Sequence, residues 1–109
     1  MENIFKRIEA ELSNSGSMSN EKKLELLNLI QELRQEMAQL SEAHKEDAQS
    51  LAFYAESSLR EATRQQKSSD IFNHTLEGFS LSAKKFEISH PKLTTIVNNI
   101  NQILVNIGI

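Results

Sequence analysis

The amino-acid sequence predicts an all-α protein, a small antiparallel helical bundle with a long middle helix, which we expect oligomerisation to complete. Only 3 glycines and 1 proline occur in the 109 residues, so strong helix breakers are rare. Apolar residues recur in steps of three and four along most of the chain, which is the period of a helix. A chain of this length supports one modest core, so residues 1–109 are expected to form a single helical domain.

Two amphipathic helices are predicted in the first forty residues. The first spans residues 2–12, precedes a Ser- and Gly-rich loop, and has an apolar face made of Ile4, Phe5, Ile8 and Leu12. The second spans residues 20–40, with Ser19 or Asn20 as its N-cap and with Leu24 and Leu29 widening its apolar stripe. Its seam alternates steps of four and three and consists of Leu26, Ile30, Leu33, Met37 and Leu40.

The middle segment allows two interpretations. Residues 41–47 are polar but contain no glycine or proline, and the apolar steps resume from Ala48 to Ala62. One helix could therefore run from Asn20 to Gln66, spanning roughly 70 Å at 1.5 Å per residue, or Ser41 could cap a second helix. We favour a continuous or slightly bent helix because the segment contains no breaker.

The next predicted helix spans residues 70–87 and follows a fresh N-cap within residues 68–70. Gly78 lies inside this helix, where it costs about 1 kcal/mol relative to alanine. Together with Ser82 it offers a small-residue patch that another helix could approach closely. The apolar seam of this helix includes Phe72, Leu76, Phe79 and Phe86.

The C-terminal helix is predicted over residues 91–106. Pro91 suits the first helical turn and keeps His90 out of the helical region, so Ser89 or His90 is the expected N-cap. Gly108 comes just after the last apolar position, where a left-handed C-cap is expected. The apolar stripe is the most regular in the chain and consists of Leu93, Ile96, Val97, Ile100, Ile103, Leu104 and Ile107.

The opposite face of the C-terminal helix is polar and uncharged, since no ionisable side chain follows Lys92. A solvated helical face normally carries Lys and Glu, whereas interface cores are depleted of them. Two interpretations remain open. The face is either an ordinary neutral surface, or both sides of the helix are covered, one by the rest of the fold and the other by a second subunit.

Composition excludes several classes of protein. A net charge of −3 provides no attraction towards nucleic acid or anionic lipid. The absence of cysteine excludes a disulfide framework, a thiolate nucleophile and a thiolate metal site. No apolar run is long enough to span a bilayer, and residues 1–7 do not resemble a signal peptide, so a cytoplasmic protein is expected.

No residue cluster predicts an active site, a cofactor or a metal. His90 could titrate near neutral pH, but its ring is expected to cap the helix or to hydrogen-bond the corner backbone. His44 and His74 share no metal-ligand spacing with it. The serines lack a paired histidine and acid at a recognisable spacing, so we expect no enzymatic activity.

The charged clusters also have simple explanations. The acidic residues Glu42, Glu46 and Asp47 lack the loop glycine and ligand spacing of a cation site and are expected to form a solvated helical face. The basic residues are too sparse for a nucleic-acid interface and lack interleaved aromatic residues; they are Lys84, Lys85 and Lys92.

The corner before the C-terminal helix and the end of the chain form a recognisable pattern, made of Phe86, Glu87, His90, Pro91, Leu93, Gly108 and Ile109. This pattern resembles a small bacterial family of uncharacterised helical proteins, domain of unknown function 4404. The first forty residues are also similar to that family, while residues 41–69 look like an insertion. The resemblance implies only a small bacterial helical protein. It gives no information on activity, because none is assigned to the family.

Two functional hypotheses follow. The first is a non-enzymatic homo-oligomer, most simply a dimer, because the apolar and uncharged helical surface exceeds what one short chain needs. Its core or interface would contain Ile96, Ile100, Ile103, Leu104 and Ile107. The second is an adaptor that binds a helix of another protein and would expose Phe53, Tyr54 or Met37. An enzyme or a nucleic-acid binder has no support in the sequence.

Overall fold

The computed structural model describes residues 2–16 and 18–108, and within them the fold is all-α. Five α-helices follow one another in the described residues: α1 (Glu2–Asn14), α2 (Asn20–Met37), α3 (Lys45–Thr63), α4 (Ser69–Lys84) and α5 (Pro91–Gly108). A 3-10 turn over Glu42–His44 lies between α2 and α3. This confirms the predicted fold class. None of the described helices is long and apolar enough to cross a membrane.

Contacts between helices show that most neighbours run antiparallel. In α2 and α5, Glu36 pairs with Lys92 at 3.6 Å, while residues near Leu29 face residues near Ile103. In α1 and α2, Glu9 accepts a hydrogen bond from Gln31 while Glu2 pairs with Arg34. The order of contacts is reversed along each pair, as in an antiparallel bundle.

One core receives the apolar faces of all five helices. The predicted seam residues that lie inside this core are at most 5% exposed; they are Leu26, Ile30, Leu33, Met37, Phe72, Phe79, Phe86, Leu93, Ile96, Val97, Ile100 and Leu104. The remaining predicted positions are half-buried and pack against the core; they are Leu40, Leu76, Ile103 and Ile107. Leu24 was expected to widen the stripe of α2, but it is 61% exposed because it points away from that seam.

The middle segment forms two helices rather than the continuous helix that we favoured. The amides of Gln39 and Leu40 bond to carbonyls three residues earlier, which tightens the chain at the end of α2. Ser41 precedes the 3-10 turn, but its side chain makes no capping hydrogen bond. A helix of about 70 Å could not bring both halves to one core, because the Cα atoms span at most 38 Å.

The contact between α3 and α4 is close at Gly78. A Cβ atom built on Gly78 would lie 2.3 Å from Cε1 of Tyr54, so the ring occupies the space that a side chain would need. Ser82 and Ala83 of α4 and Ala55 and Ser58 of α3 are also buried. A glycine is therefore needed at position 78 of α4 to leave space for the ring of Tyr54.

The ends of the helices differ from the sequence expectation by a few residues. Ser19 and Ser68 cap α2 and α4 by accepting hydrogen bonds from the amides of Lys22 and Ile71. The helix α4 ends at Lys84, three residues before the expected end. Gly108 is the last residue of α5, not a cap beyond a helix ending at residue 106. Ile109 lies outside the described residues.

Replacing Ile100 with aspartate should abolish folding. Ile100 is 2% exposed, so an unpartnered carboxylate in its place would cost about 3–5 kcal/mol, a large part of the stability of a small domain. Circular dichroism during thermal unfolding measures the effect. The matched control is Ile88→Asp, because Ile88 is 98% exposed. An unchanged melting temperature for Ile100→Asp would remove Ile100 from the core.

The effect of Gly78→Ala should depend on Tyr54. Alanine improves helix propensity by about 1 kcal/mol, but its Cβ displaces the Tyr54 ring, so the wild-type background gains little or loses stability. In a Tyr54→Ala background the full gain should appear. Urea denaturation of the four proteins gives the coupling between the two positions. Equal effects in both backgrounds would contradict the close contact.

Candidate functional site

The histidines do not form a chemical centre. His74 is exposed on α4, far along the helix from the corner that joins α4 to α5. His44 and His90 both contact the ring of the fully buried Phe86, with ring centroids 5.8 and 6.4 Å apart in edge-on geometry. The two rings therefore cover Phe86, which is a packing role that the sequence did not reveal for His44.

Backbone hydrogen bonds hold the corner before α5. The amide of His90 donates to the carbonyl of Phe86 at 2.7 Å, and the carbonyl of His90 accepts from Leu93 at 3.0 Å. Within the described residues, neither Ser89 nor His90 caps α5 through its side chain. The ring of His90 was expected to cap the helix or to hydrogen-bond the corner backbone, but within the described residues it forms neither bond and packs against Phe86.

The acidic and basic clusters of the sequence are partly paired. Asp47 on α3 binds Lys85 at 3.1 Å, and Glu42 lies 4.0 Å from Lys45. Lys92 pairs with Glu36. In the part of the chain that the structure describes, no three histidine, aspartate or glutamate side chains converge as a metal site would require.

A charged cleft of about 780 Å³ lies between α1 and the C-terminal half of α3. The side chain of Glu56 is only 9% exposed, and its carboxylate accepts a hydrogen bond from Nε of Arg7 at 2.7 Å. The same carboxylate lies 3.6 Å from Arg60. Arg64 binds both carboxylate oxygens of Glu61 at 3.1 Å. The hydrogen bond to Glu56 raises the pKa of Arg7.

The charged cleft joins α1 to α3 and does not form a free anion site. Each of its arginines already faces a carboxylate, so an incoming anion would compete with a buried partner. Sequence analysis missed Glu56 and Glu61, because charged residues are almost never fully buried unless they are paired. The only sequence signal is their position between the buried alanines of α3.

The uncharged face of α5 remains exposed along its outer side. One edge is covered, since Nδ2 of Asn101 donates to Oγ of Ser80 on α4 at 2.9 Å. The exposed residues define the amide surface: Thr95, Asn98, Asn99, Gln102, Val105 and Asn106. A groove of about 440 Å³ lies beside them, between α5 and α2, and is also lined by Asn28, Leu29, Ile103 and the charged residue Glu25.

A second exposed surface lies where α3 meets α4. Phe53 is 56% exposed and contacts the ring of Tyr54 at 5.5 Å, and Ile71 on α4 is 49% exposed. A depression of about 380 Å³ between Tyr54 and Ile71 is also lined by Asp70 and His74. A second depression of about 470 Å³ includes Glu46, Phe53 and Tyr54. These residues are called the aromatic surface below: Glu46, Phe53, Tyr54, Asp70 and Ile71.

Comparison with known proteins places the chain in a family. The family model described as "Domain of unknown function (DUF4404)" matches residues 26–109. The chain belongs to this family. The match confirms the family, but of the first forty residues it covers only 26–40, and it includes residues 41–69, which we expected to be an insertion. The helix α1 of this DUF4404 protein lies outside the matched range. No curated protein and no solved structure matches the chain.

Replacing Glu56 with glutamine should weaken the attachment of α1. The change keeps the shape of the side chain but leaves Arg7 and Arg60 facing a neutral amide. We expect the melting temperature to fall by about 4–8 °C. Glu46→Gln on the same helix is the control, because Glu46 is exposed and forms no ion pair with a described residue. Equal shifts in the two variants would show that the buried pair contributes nothing specific.

Proposed function

We propose that this DUF4404 protein is a non-enzymatic interaction protein that self-assembles through the amide surface of α5. The observation that carries the proposal is the exposed face of this helix, which has no ionisable side chain after Lys92. Charged residues are depleted in the buried part of protein interfaces. The adjoining groove offers Leu29 and Ile103 as apolar contacts for a second copy.

The apolar seams provide less support for self-assembly than the sequence suggested. Ile96, Ile100 and Leu104 lie inside the core of one chain, so they are satisfied without a second subunit. Contacts between copies would therefore depend on Val105, which is 52% exposed, on the half-buried Ile103 and on the amide side chains. Such an interface would be small and partly polar.

A non-enzymatic role agrees with what the polar groups do. The rings of His44 and His90 pack against Phe86, and the buried carboxylates of the charged cleft hold arginines. These side chains stabilise the fold, and their arrangement suggests no nucleophile, general base or cofactor site.

An adaptor function is the second candidate. It is favoured by the exposure of Phe53, a feature that this hypothesis expects. Met37, the other candidate for exposure, is 2% exposed and belongs to the core. Of the residues that this hypothesis expects to be exposed, Met37 is therefore unavailable to a partner, and the candidate contact on α3 is Phe53.

Light scattering of the purified protein tests self-assembly. We expect the native mass to be a multiple of 12.4 kDa, and Val105→Asp to return it to 12.4 kDa by placing a charge in the interface. Ile88→Asp, which changes an exposed isoleucine outside the amide surface, should keep the wild-type mass. A wild-type mass of 12.4 kDa, or dissociation by both variants, would contradict the proposed interface.

A further inference from the structure

The aromatic surface has the shape of a docking site for a helix. Its two depressions share Tyr54, so one ligand could contact both. The depression beside Ile71 is mainly apolar, whereas the other is lined by Phe53 and Tyr54 together with the polar residues Glu46, Gln49 and Ser50. Recognition of an amphipathic helix depends on such apolar anchors, spaced three or four residues apart. Aromatic side chains are also the residue types that most often dominate binding energy.

The rings are held in place before any ligand arrives. Tyr54 lies over Gly78, where a larger residue would push it away, and Phe53 packs edge-on against it. Both rings belong to α3, whose inner face is anchored in the core. A surface that is already ordered loses less conformational entropy on binding than a mobile one.

The charges around the aromatic surface are negative. Glu46 lies beside Phe53, and Asp70 lies beside Ile71. Neither carboxylate forms an ion pair within residues 2–16 and 18–108. Two lysines close to Glu46 in the fold or the chain have other partners, since Lys85 is bound to Asp47 at 3.1 Å and Lys45 lies 4.0 Å from Glu42. The basic residue that lines the same depression as Asp70 is His74.

These charges discriminate between occupants. In a symmetric dimer the same patch faces itself, so Glu46 and Asp70 of two copies would be brought together, in a chain whose net charge is already −3. A ligand with Lys or Arg beside its apolar residues would instead be attracted. We propose that the aromatic surface binds a basic amphipathic helix of another protein, with Phe53, Tyr54 and Ile71 as apolar contacts and Glu46 and Asp70 as its charge partners.

This inference is independent of self-assembly at α5, because the aromatic surface lies on α3 and α4. The probe is a fluorescently labelled peptide of about 18 residues, or five helical turns, with leucine on one face and lysine on the other. Fluorescence anisotropy with the full-length protein measures its affinity at about 0.05 and 0.5 M salt. A peptide with glutamate in place of lysine has the same apolar face and the opposite charge.

We expect the lysine peptide to bind at least about tenfold more tightly than the glutamate peptide at low salt, with a difference that shrinks at high salt. Phe53→Ser should weaken the binding of the lysine peptide about tenfold at both salt concentrations. The double variant Glu46→Gln, Asp70→Asn should weaken it at low salt and remove most of its salt dependence.

Leu24→Ser is the control for a general effect of losing an exposed apolar residue, because Leu24 is 61% exposed on α2. It should bind the peptide like the wild type. Circular dichroism should show that all variants remain folded, and light scattering should show that Phe53→Ser keeps the wild-type native mass. Equal binding of the two peptides, unchanged binding by Phe53→Ser, or an equal loss in Leu24→Ser would overturn the proposal.

Discussion

The reversal of the chain between Met37 and Lys45 is the constraint on which the rest of the fold depends. One core must receive the apolar faces of all five helices. A continuous middle helix would carry the apolar residues of one of its halves away from that core. Ending α2 at Met37 allows α3 to return and pack against α1, α4 and α5. The 13-residue α1 depends on this return, because a helix of its length is marginal when isolated.

The contact between α3 and α4 determines both the core and its most apolar outer surface. Small residues let the two helices approach, and Gly78 leaves room for the ring of Tyr54 across the backbone of α4. The ring that closes this contact also supports Phe53 on the solvent side. The aromatic surface is therefore a consequence of the same close packing that buries the alanine-rich face of α3.

Charge is distributed unevenly over the molecule. The ion pairs of α1 with α2 and α3 fix the position of the N-terminal helix, whereas after Lys92 the outer face of α5 carries only uncharged side chains. The aromatic surface lies between these extremes, with apolar rings and carboxylates at its edge. Contacts made by the amide surface and by the aromatic surface should consequently differ in their response to salt, since only the latter involves net charge.

Most of the core residues could be predicted from the sequence, because helical periodicity depends only on the spacing of apolar residues along the chain. The seams of α2, α4 and α5 are buried as their steps of three and four suggested, and Val105, outside the stripe of α5, is exposed. The capping residues Ser19 and Ser68 are among the positions that the sequence offered, which were Ser19 or Asn20 for α2 and residues 68–70 for α4.

The candidate surfaces were less accessible to sequence reasoning. The uncharged face of α5 could be read directly, but which of its edges α4 covers depends on the packing of two helices. The ion pair of the buried Glu56 with Arg7 and the contact of His44 with Phe86 each bring together residues that are distant in sequence. Patterns along one helix therefore could not predict them.

The sequence by itself determined the helical class, the seams and the resemblance to the family that matches residues 26–109. Only the tertiary structure decided that α2 ends at Met37, that Tyr54 lies over Gly78 and that Phe53 faces solvent. The physical reason is that local propensity and periodicity concern neighbours along one helix. The sharing of a single core among five helices is decided by contacts between residues far apart in the chain.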